Sequence, residues 1–462
     1  MMRHGGRPVP LRPVYDVPPP PPTLAAQPPK KGGGGRLALI MTAVIAGVVV
    51  LLGGTAFLAY QKISADPGDD IPQPHRAAVK AARPAAGEPS WTAPDHHWVG
   101  LSNVWSQDHG SLFSFKFEQR GLVSDGKRAI EFRDGRATAA SSTAMITSFD
   151  GTSGKQLWQT RLPWAHSASP TAGNGVVIVP SGEESGYDDR SPLTYVALDT
   201  ATGKERWRVQ VAARTIASDL SPDHARPQPG GALLNGVFYY GDGDGVIGVD
   251  ARTGKRRYAF TSKKYTTESA PIAVGGRIAM LAGPSGDRYS QTHEAHVFPA
   301  DLKTYTKFRF SESAHRAPQQ FAANGDVLVA WNDEDLSTTD VRTGKRLAHV
   351  RLGLSSDYGG MVGRTLLVQH RQGVNDRVVG YDLLTGRQRW SVDPLPDDYS
   401  FGMLDVADGT ALVAGDDLSL IDPATGKTVF TRKTPYSITG GLATLAGGHL
   451  VVSFDKGIAG YR

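Results

Sequence analysis

One motif recurs seven times in this 462-residue chain and leaves few folds open. A short β-prone run ends in Asp, two residues intervene, Thr-Gly or its equivalent reverses the chain, and in most copies a large ring follows four residues later. ALDTATGKERW (197–207) and GYDLLTGRQRW (380–390) are clear copies. The aspartates are Asp150, Asp199, Asp250, Asp301, Asp340, Asp382 and Asp422, spaced by 49, 51, 51, 39, 42 and 40 residues. Units of that length, rich in short strands, specify a β-propeller. Gly154, Gly203, Gly254, Gly344, Gly386 and Gly426 stand where the reversal needs positive φ. Trp158, Trp207, Tyr258, Trp390 and Phe430 supply the ring. The fourth copy has Tyr305 where Gly belongs and the fifth has Ala348 at the ring position, so those blades should be looser or differently packed.

Seven units end in a complete motif. An eighth begins near Ile438, and the chain stops at Arg462, where the eighth Asp would stand. Its fourth strand is therefore missing, and an open sheet edge needs a cover. The stretch HHWVGLSNVW (96–105), just before the first blade, is expected to supply it and close the ring. The predicted fold is all-β, an eight-bladed β-propeller over 96–462, preceded by one transmembrane helix and a disordered N-terminal tail.

The N-terminal region reads differently. Leu37 to Tyr60 is a run of 24 residues without a charge, long enough at about 1.5 Å per residue to cross a bilayer core. Lys30, Lys31 and Arg36 precede it, and only Lys62 follows closely. The positive-inside tendency puts residues 1–36 in the cytoplasm and the propeller outside the cell membrane. Residues 1–36, with VPPPPPTL and GGGG, read as a solvated tail, and 61–95 as a stalk. The tail also holds the whole charge surplus of +5, with Arg3, Arg7, Arg12, Lys30, Lys31 and Arg36 against Asp16. Residues 37–462 are balanced, so a nucleic-acid partner is not expected. The chain has no Cys, which excludes disulfides, thiolate zinc sites and a catalytic thiol.

The unit resembles the pyrroloquinoline-quinone (PQQ)-type propeller repeat, with its AlD ending, xxTG turn and docking Trp, across most of 115–462. Such proteins include quinoprotein dehydrogenases, outer-membrane assembly lipoproteins and anchored extracytoplasmic proteins. The resemblance implies eight blades and makes PQQ a possible cofactor, though no cofactor is expected from the residues themselves. Quinoprotein alcohol dehydrogenases place a vicinal disulfide against PQQ and hold calcium beside a catalytic Asp. This chain has no Cys, and no calcium or catalytic set maps onto it, so no catalytic residue or metal ligand is assigned. The repeat aspartates are read as structural.

Strand parity places the candidate site. With four strands per blade, the second-to-third loops and the blade-to-blade links share one face, and the Thr-Gly turns lie on the other. The three longest insertions are 182–192, 212–229 and 284–295, all on the loop face over blades two to four. They carry Glu183, Glu184, Tyr187, Asp188, Asp189, Arg190, His224, Arg226, Arg288, Tyr289 and His293. Long loops on a rigid scaffold often carry function; the other reading is a tolerated surface insertion. Asp242 and Asp244 in GDGDG read as a hairpin turn rather than calcium ligands. His293 and His296, three apart in a strand, would face opposite sides and not share a metal. The expected function is a binding or scaffolding module for a protein or small ligand. A quinoprotein-like redox enzyme and a sensor acting through residues 1–36 are the alternatives.

Overall fold

The computed structural model describes residues 76–78, 83–92, 96–108, 120–136, 142–163, 170–181, 193–211, 230–267, 269–284, 294–309, 320–331, 335–352, 356–372, 375–392, 403–414, 417–433, 442–454 and 457–462. Residues 1–36 and the apolar run 37–60 lie outside this set. Among the described residues no helix is long and apolar enough to cross a membrane.

The described chain is all-β. Eight antiparallel sheets follow one another along it, spanning 120–163, 171–210, 232–261, 265–309, 320–351, 356–392, 403–433 and 442–461. The first seven are meanders of four strands in chain order, and the eighth has three such strands and one from elsewhere in the chain. The fourth is the exception in detail, because its first strand is interrupted into Tyr265–Thr267 and Ile272–Val274, both paired with Arg277–Pro284. First strands of neighbouring blades touch at seven of the eight junctions, including that of the eighth blade (Leu442–Ala446) with the first (Arg120–Ser124), and blades five and six meet through the buried cluster of Val329, Val350 and Leu366, so the sheets form a closed circle with first strands innermost.

Closure comes from the N-terminal side, as the repeat arithmetic requires. The eighth blade contributes Leu442–Ala446, His449–Ser453 and Gly457–Tyr461, and its fourth strand is Asn103–Asp108. Ser106 pairs with Ala459 and Gln107 with Ile458, while Ser102 and Arg462 exchange backbone hydrogen bonds of 2.8 and 2.9 Å. The closing strand lies at the C-terminal end of the 96–105 stretch and runs beyond it. His96–Trp98 instead pairs with Arg76–Ala78.

Ring docking explains the motif. The indole N–H of Trp158 donates to the Thr200 carbonyl (2.9 Å), that of Trp207 to Ala251 (2.9 Å) and that of Trp390 to Pro423 (3.0 Å). Each tryptophan thus binds the residue after the Asp in the next blade. It also lies flat against that blade's turn glycine: a Cβ on Gly203 would stand 2.6 Å from the Trp158 ring, and one on Gly426 2.5 Å from Trp390. Gly203 has φ +67° and Gly426 +74°. Glycine is therefore required twice, for the left-handed backbone and for the ring's approach. Trp105 on the closing strand does the same for the first blade, donating to the Gly151 carbonyl (3.1 Å) and covering Gly154. The closing strand thus brings its own docking tryptophan.

The aspartates hold the turn. Asp199 accepts from the N–H groups of Ala201 and Thr202 (both 2.9 Å) and from the Thr202 hydroxyl (3.1 Å), and Asp150, Asp250, Asp382 and Asp422 take similar bonds. The Arg206 guanidinium, then the Thr202 and backbone bonds, hold the Asp199 carboxyl below the usual range against the opposing effect of burial. Their role is structural.

The two irregular copies are packed differently. In the fourth blade the turn contracts, with Leu302 at φ +55° donating its N–H to Pro299. Tyr305 joins an aromatic cluster with Phe260 (5.0 Å between centroids), His296 (4.7 Å) and Phe298 (5.4 Å), and Phe308 docks on Gly344. In the fifth, Ala348 and Val350 contact the Gly386 turn. A cluster joining blades five and six contains Val350, Leu366 and Leu383, and Trp91 from the N-terminal segment packs into it.

That segment is a strap rather than a free spacer where it is described. Ser90 donates through its N–H (3.1 Å) and hydroxyl (2.6 Å) to Asp326, Asp326 N–H returns a bond to the Ser90 carbonyl (2.8 Å), and Thr92 N–H donates to Asn324 (2.8 Å). Trp98 donates from its indole to Asp408 (3.0 Å), Arg76 pairs with Asp408 (2.8 Å), and the Arg76 guanidinium lies 4.3 Å over the Trp98 ring. The packed structure therefore reaches N-terminal of residue 96.

Candidate functional site

Two faces are set by the meander. First-to-second hairpins and Asp turns lie at the same end of each blade: Thr200 N–H donates to Gly175 O (3.1 Å), Ala251 to Gly236 (2.9 Å), Val341 to Asp326 (2.9 Å) and Leu383 to Arg364 (2.9 Å). The strap grips this turn face, since Asp326 and Asp408 belong to such hairpins. The second-to-third loops and blade links leave from the opposite end.

The eleven loop residues named from the sequence, Glu183 to Arg190, His224, Arg226, Arg288, Tyr289 and His293, lie outside the described residues. Their anchors are described. The 182–192 loop leaves Ser181 and re-enters at Thr194, which pair directly. The 212–229 link is pinned at both ends: Val211 N–H donates to Leu193 O (2.7 Å), and the buried Tyr195 hydroxyl donates to Gly230 O (2.8 Å). Burial pushes the Tyr195 hydroxyl pKa well up, so it stays protonated as a donor. The third insertion leaves from Pro284 and returns at Glu294. All three anchor pairs are at the loop end of blades two to four. Between them, GDGDG forms a tight hairpin, with Gly243 at φ +91° and Asp242 N–H bonded to Gly245 O (3.1 Å), as a turn requires.

At the foot of the third loop stands a polar cluster that sequence reasoning missed. Glu294, His296 and Phe298 alternate along Glu294–Pro299 and so share one side of the strand. Glu294 is nearly buried. It accepts from Lys307 (3.0 Å) and Arg309 (3.2 Å), and lies 3.4 Å from His296 Nε2. Lys307 Nζ also bonds the Tyr265 hydroxyl and stands 4.1 Å over the Tyr265 ring. His296 is fully buried against Tyr265 (4.7 Å) and Tyr305 (4.7 Å), and its Nδ1 has no partner among the described residues. Burial disfavours ionised Glu294, but the bonds from Lys307, Arg309 and His296 outweigh it and hold its pKa below normal. Burial dominates at His296, lowering its pKa despite Glu294 and keeping the ring neutral. The available sequence signal was the Glu-x-His-x-Phe alternation inside a strand.

This cluster makes stability depend on pH. Folded His296 binds its proton more weakly than the unfolded ring, whose pKa is near 6.5. As pH falls through that value the unfolded chain takes up a proton that the folded one refuses, so stability drops. Glu294 acts in the same direction lower down, losing its contribution as pH falls through its depressed folded value. The melting temperature is expected to fall between pH 7.5 and 5.5, with a ceiling of about 1.4 kcal/mol per pH unit for one proton. His296→Gln should flatten that slope; a slope unchanged in the variant would assign the effect elsewhere, His370 being a second buried histidine with a lowered pKa among the described residues.

The chain has no Cys, and among the described residues no group of three or more His, Asp or Glu could hold a metal ion.

Comparison with known proteins agrees with the geometry. The family model described as outer membrane protein assembly factor BamB matches residues 75–286, 143–390 and 332–461. The chain belongs to this family of PQQ-type propellers. The match starts at residue 75, so it takes in the strap as well as the blades. No curated protein sequence matches. Among solved structures, the quinohemoprotein alcohol dehydrogenase from Comamonas testosteroni aligns with TM-score 0.51 at 12% identity, over 78% of this chain and 76% of that one. A europium-containing methanol dehydrogenase aligns with TM-score 0.50 at 12% identity, over 78% and 85%. BamB from Moraxella catarrhalis aligns over 78% of this chain and 97% of its own, at 13% identity and TM-score 0.48. At these identities the structural likeness concerns the fold.

Proposed function

We propose that this family member is a membrane-anchored, extracytoplasmic scaffold that binds a protein partner through its loop face. Residues 37–60 are the anchor and residues 1–36 the cytoplasmic tail, on the hydropathy and charge of the sequence. The observation that carries the binding reading is the gathering of the three longest insertions at the loop end of blades two to four, opposite the face gripped by the strap. Fixed strand ends hold long loops in one sector, which suits recognition of a protein surface. Membership of a family described as an assembly factor supports the same reading.

The test is site-specific photo-crosslinking of the full chain in its own membrane. Probes at Tyr187, Arg226 and Tyr289 are expected to yield a discrete protein adduct, and a probe at the exposed Thr202 on the turn face none. Adducts from Thr202 alone, or no adduct from any loop position, would contradict the reading.

A further inference from the structure

The residue after each turn glycine is a cation: Lys155, Lys204, Lys255, Lys345, Arg387 and Lys427. All six are exposed, and none has a side-chain hydrogen bond or ion pair among the described residues. The fourth blade lacks one because its turn is contracted, and the eighth because Asn103–Asp108 replaces its fourth strand. The adjacent acids do not balance this charge outward. Repeat aspartates are folded into their turns, where Asp199 is taken by backbone N–H groups and Arg206, and Asp250 by Thr253 and Arg257. The rim of the turn face is therefore a circle of projecting cations beside inward-tied carboxylates, although residues 37–462 have no net charge.

The strap lies on this same face, so the chain enters the propeller from the side that carries the cations. Fifteen residues lie between Tyr60 and Arg76, a tether of about 55 Å at most when fully extended. That tether lets the turn face reach the bilayer, and cations brought to its surface gain from anionic headgroups, at about 1 kcal/mol each. Resting on the reading of 37–60 as an anchor, we propose that the turn face docks on an anionic lipid surface through this rim, chiefly through Lys155, Lys204 and Lys255, on blades where the strap makes no hydrogen bond or ion pair among the described residues. Docking then turns the loop face away from the membrane, toward partners.

The absence of Cys makes the test clean. Full-length protein in phosphatidylglycerol-containing bilayers would carry one fluorophore, at Thr202→Cys on the turn face or at Gln210→Cys at the loop end of the same blade, with a headgroup-attached quencher. Quenching is expected at 202 and not at 210. It should weaken with salt and in zwitterionic bilayers. Lys204→Gln with Lys255→Gln should lower the docked-to-undocked ratio by about tenfold or more. These two side chains are exposed and unbonded among the described residues, so the double variant is expected to keep the melting temperature of the parent protein. Equal quenching at both sites, equal quenching in anionic and zwitterionic bilayers, or indifference to the double variant would overturn the proposal. Resistance of the full chain to alkaline extraction reads the anchor separately, so an anchored but undocked protein sinks this inference alone.

Discussion

Trp105→Ala is expected to be the most damaging single substitution in the propeller. It removes a buried indole from the first-to-eighth blade junction, together with its bond to the Gly151 carbonyl and its cover over Gly154. A large-to-small change of this kind costs about 3–5 kcal/mol, a large part of the 5–15 kcal/mol that holds a typical domain together. Trp158→Ala loses the same contacts between blades one and two, but those blades remain joined by the chain. At the closing junction only non-covalent pairing joins residue 108 to residue 457. Opening there exposes two sheet edges, so Trp105→Ala should show proteolysis around Gly457–Tyr461 and aggregation as well as a lower melting temperature. Equal effects from the two variants by limited proteolysis would mean the closing strand adds nothing beyond its ring.

Gly203→Ala is expected to lower stability by about 2–4 kcal/mol, from the left-handed backbone and the clash with Trp158 together. The comparison that separates the two causes is Gly236→Ala. Gly236 has φ +76°, but a Cβ there meets nothing within 4 Å. It should cost only the backbone part, about 1–2 kcal/mol. Urea midpoints at unchanged slope measure both. If the two glycines behave alike, the tryptophan does not dock as tightly as the geometry states.

The repeat made the architecture legible because each of its residues has one physical task. Asp199 bonds its turn, Gly203 reverses it, and Trp207 reaches the next blade, so spacing alone counts blades and assigns faces. The incomplete eighth unit likewise demanded a strand from elsewhere, and Trp105 carries the docking signature that identifies it. The strap was not legible. Residues 83–92 are rich in Pro, Ala and Gly, a composition suited to a solvated linker, and their binding depends on single residues such as Ser90 and Trp91 meeting partners more than 200 positions away. The Glu294–His296–Lys307 cluster was hidden for the same reason, since its members come from three strands and its first-strand member, Tyr265, sits in an irregular segment. Loop identity is a different matter: the sequence locates the long insertions on one face, but the chemistry they recognise depends on backbone paths that composition does not determine.

Ring closure underlies the face assignments, the loop sector and the cationic rim, and an engineered disulfide tests it most directly. Ser106 and Ala459 are paired across the closing strands in a chain without Cys. Ser106→Cys with Ala459→Cys should form an intramolecular disulfide on mild oxidation of the folded full-length protein, detected by mass after proteolysis. Because it ties residues 353 positions apart, it should raise stability by about 2–4 kcal/mol. Failure of this pair to cross-link while the protein remains folded, or cross-linking only between separate molecules, would show that residues 103–108 do not complete the eighth blade.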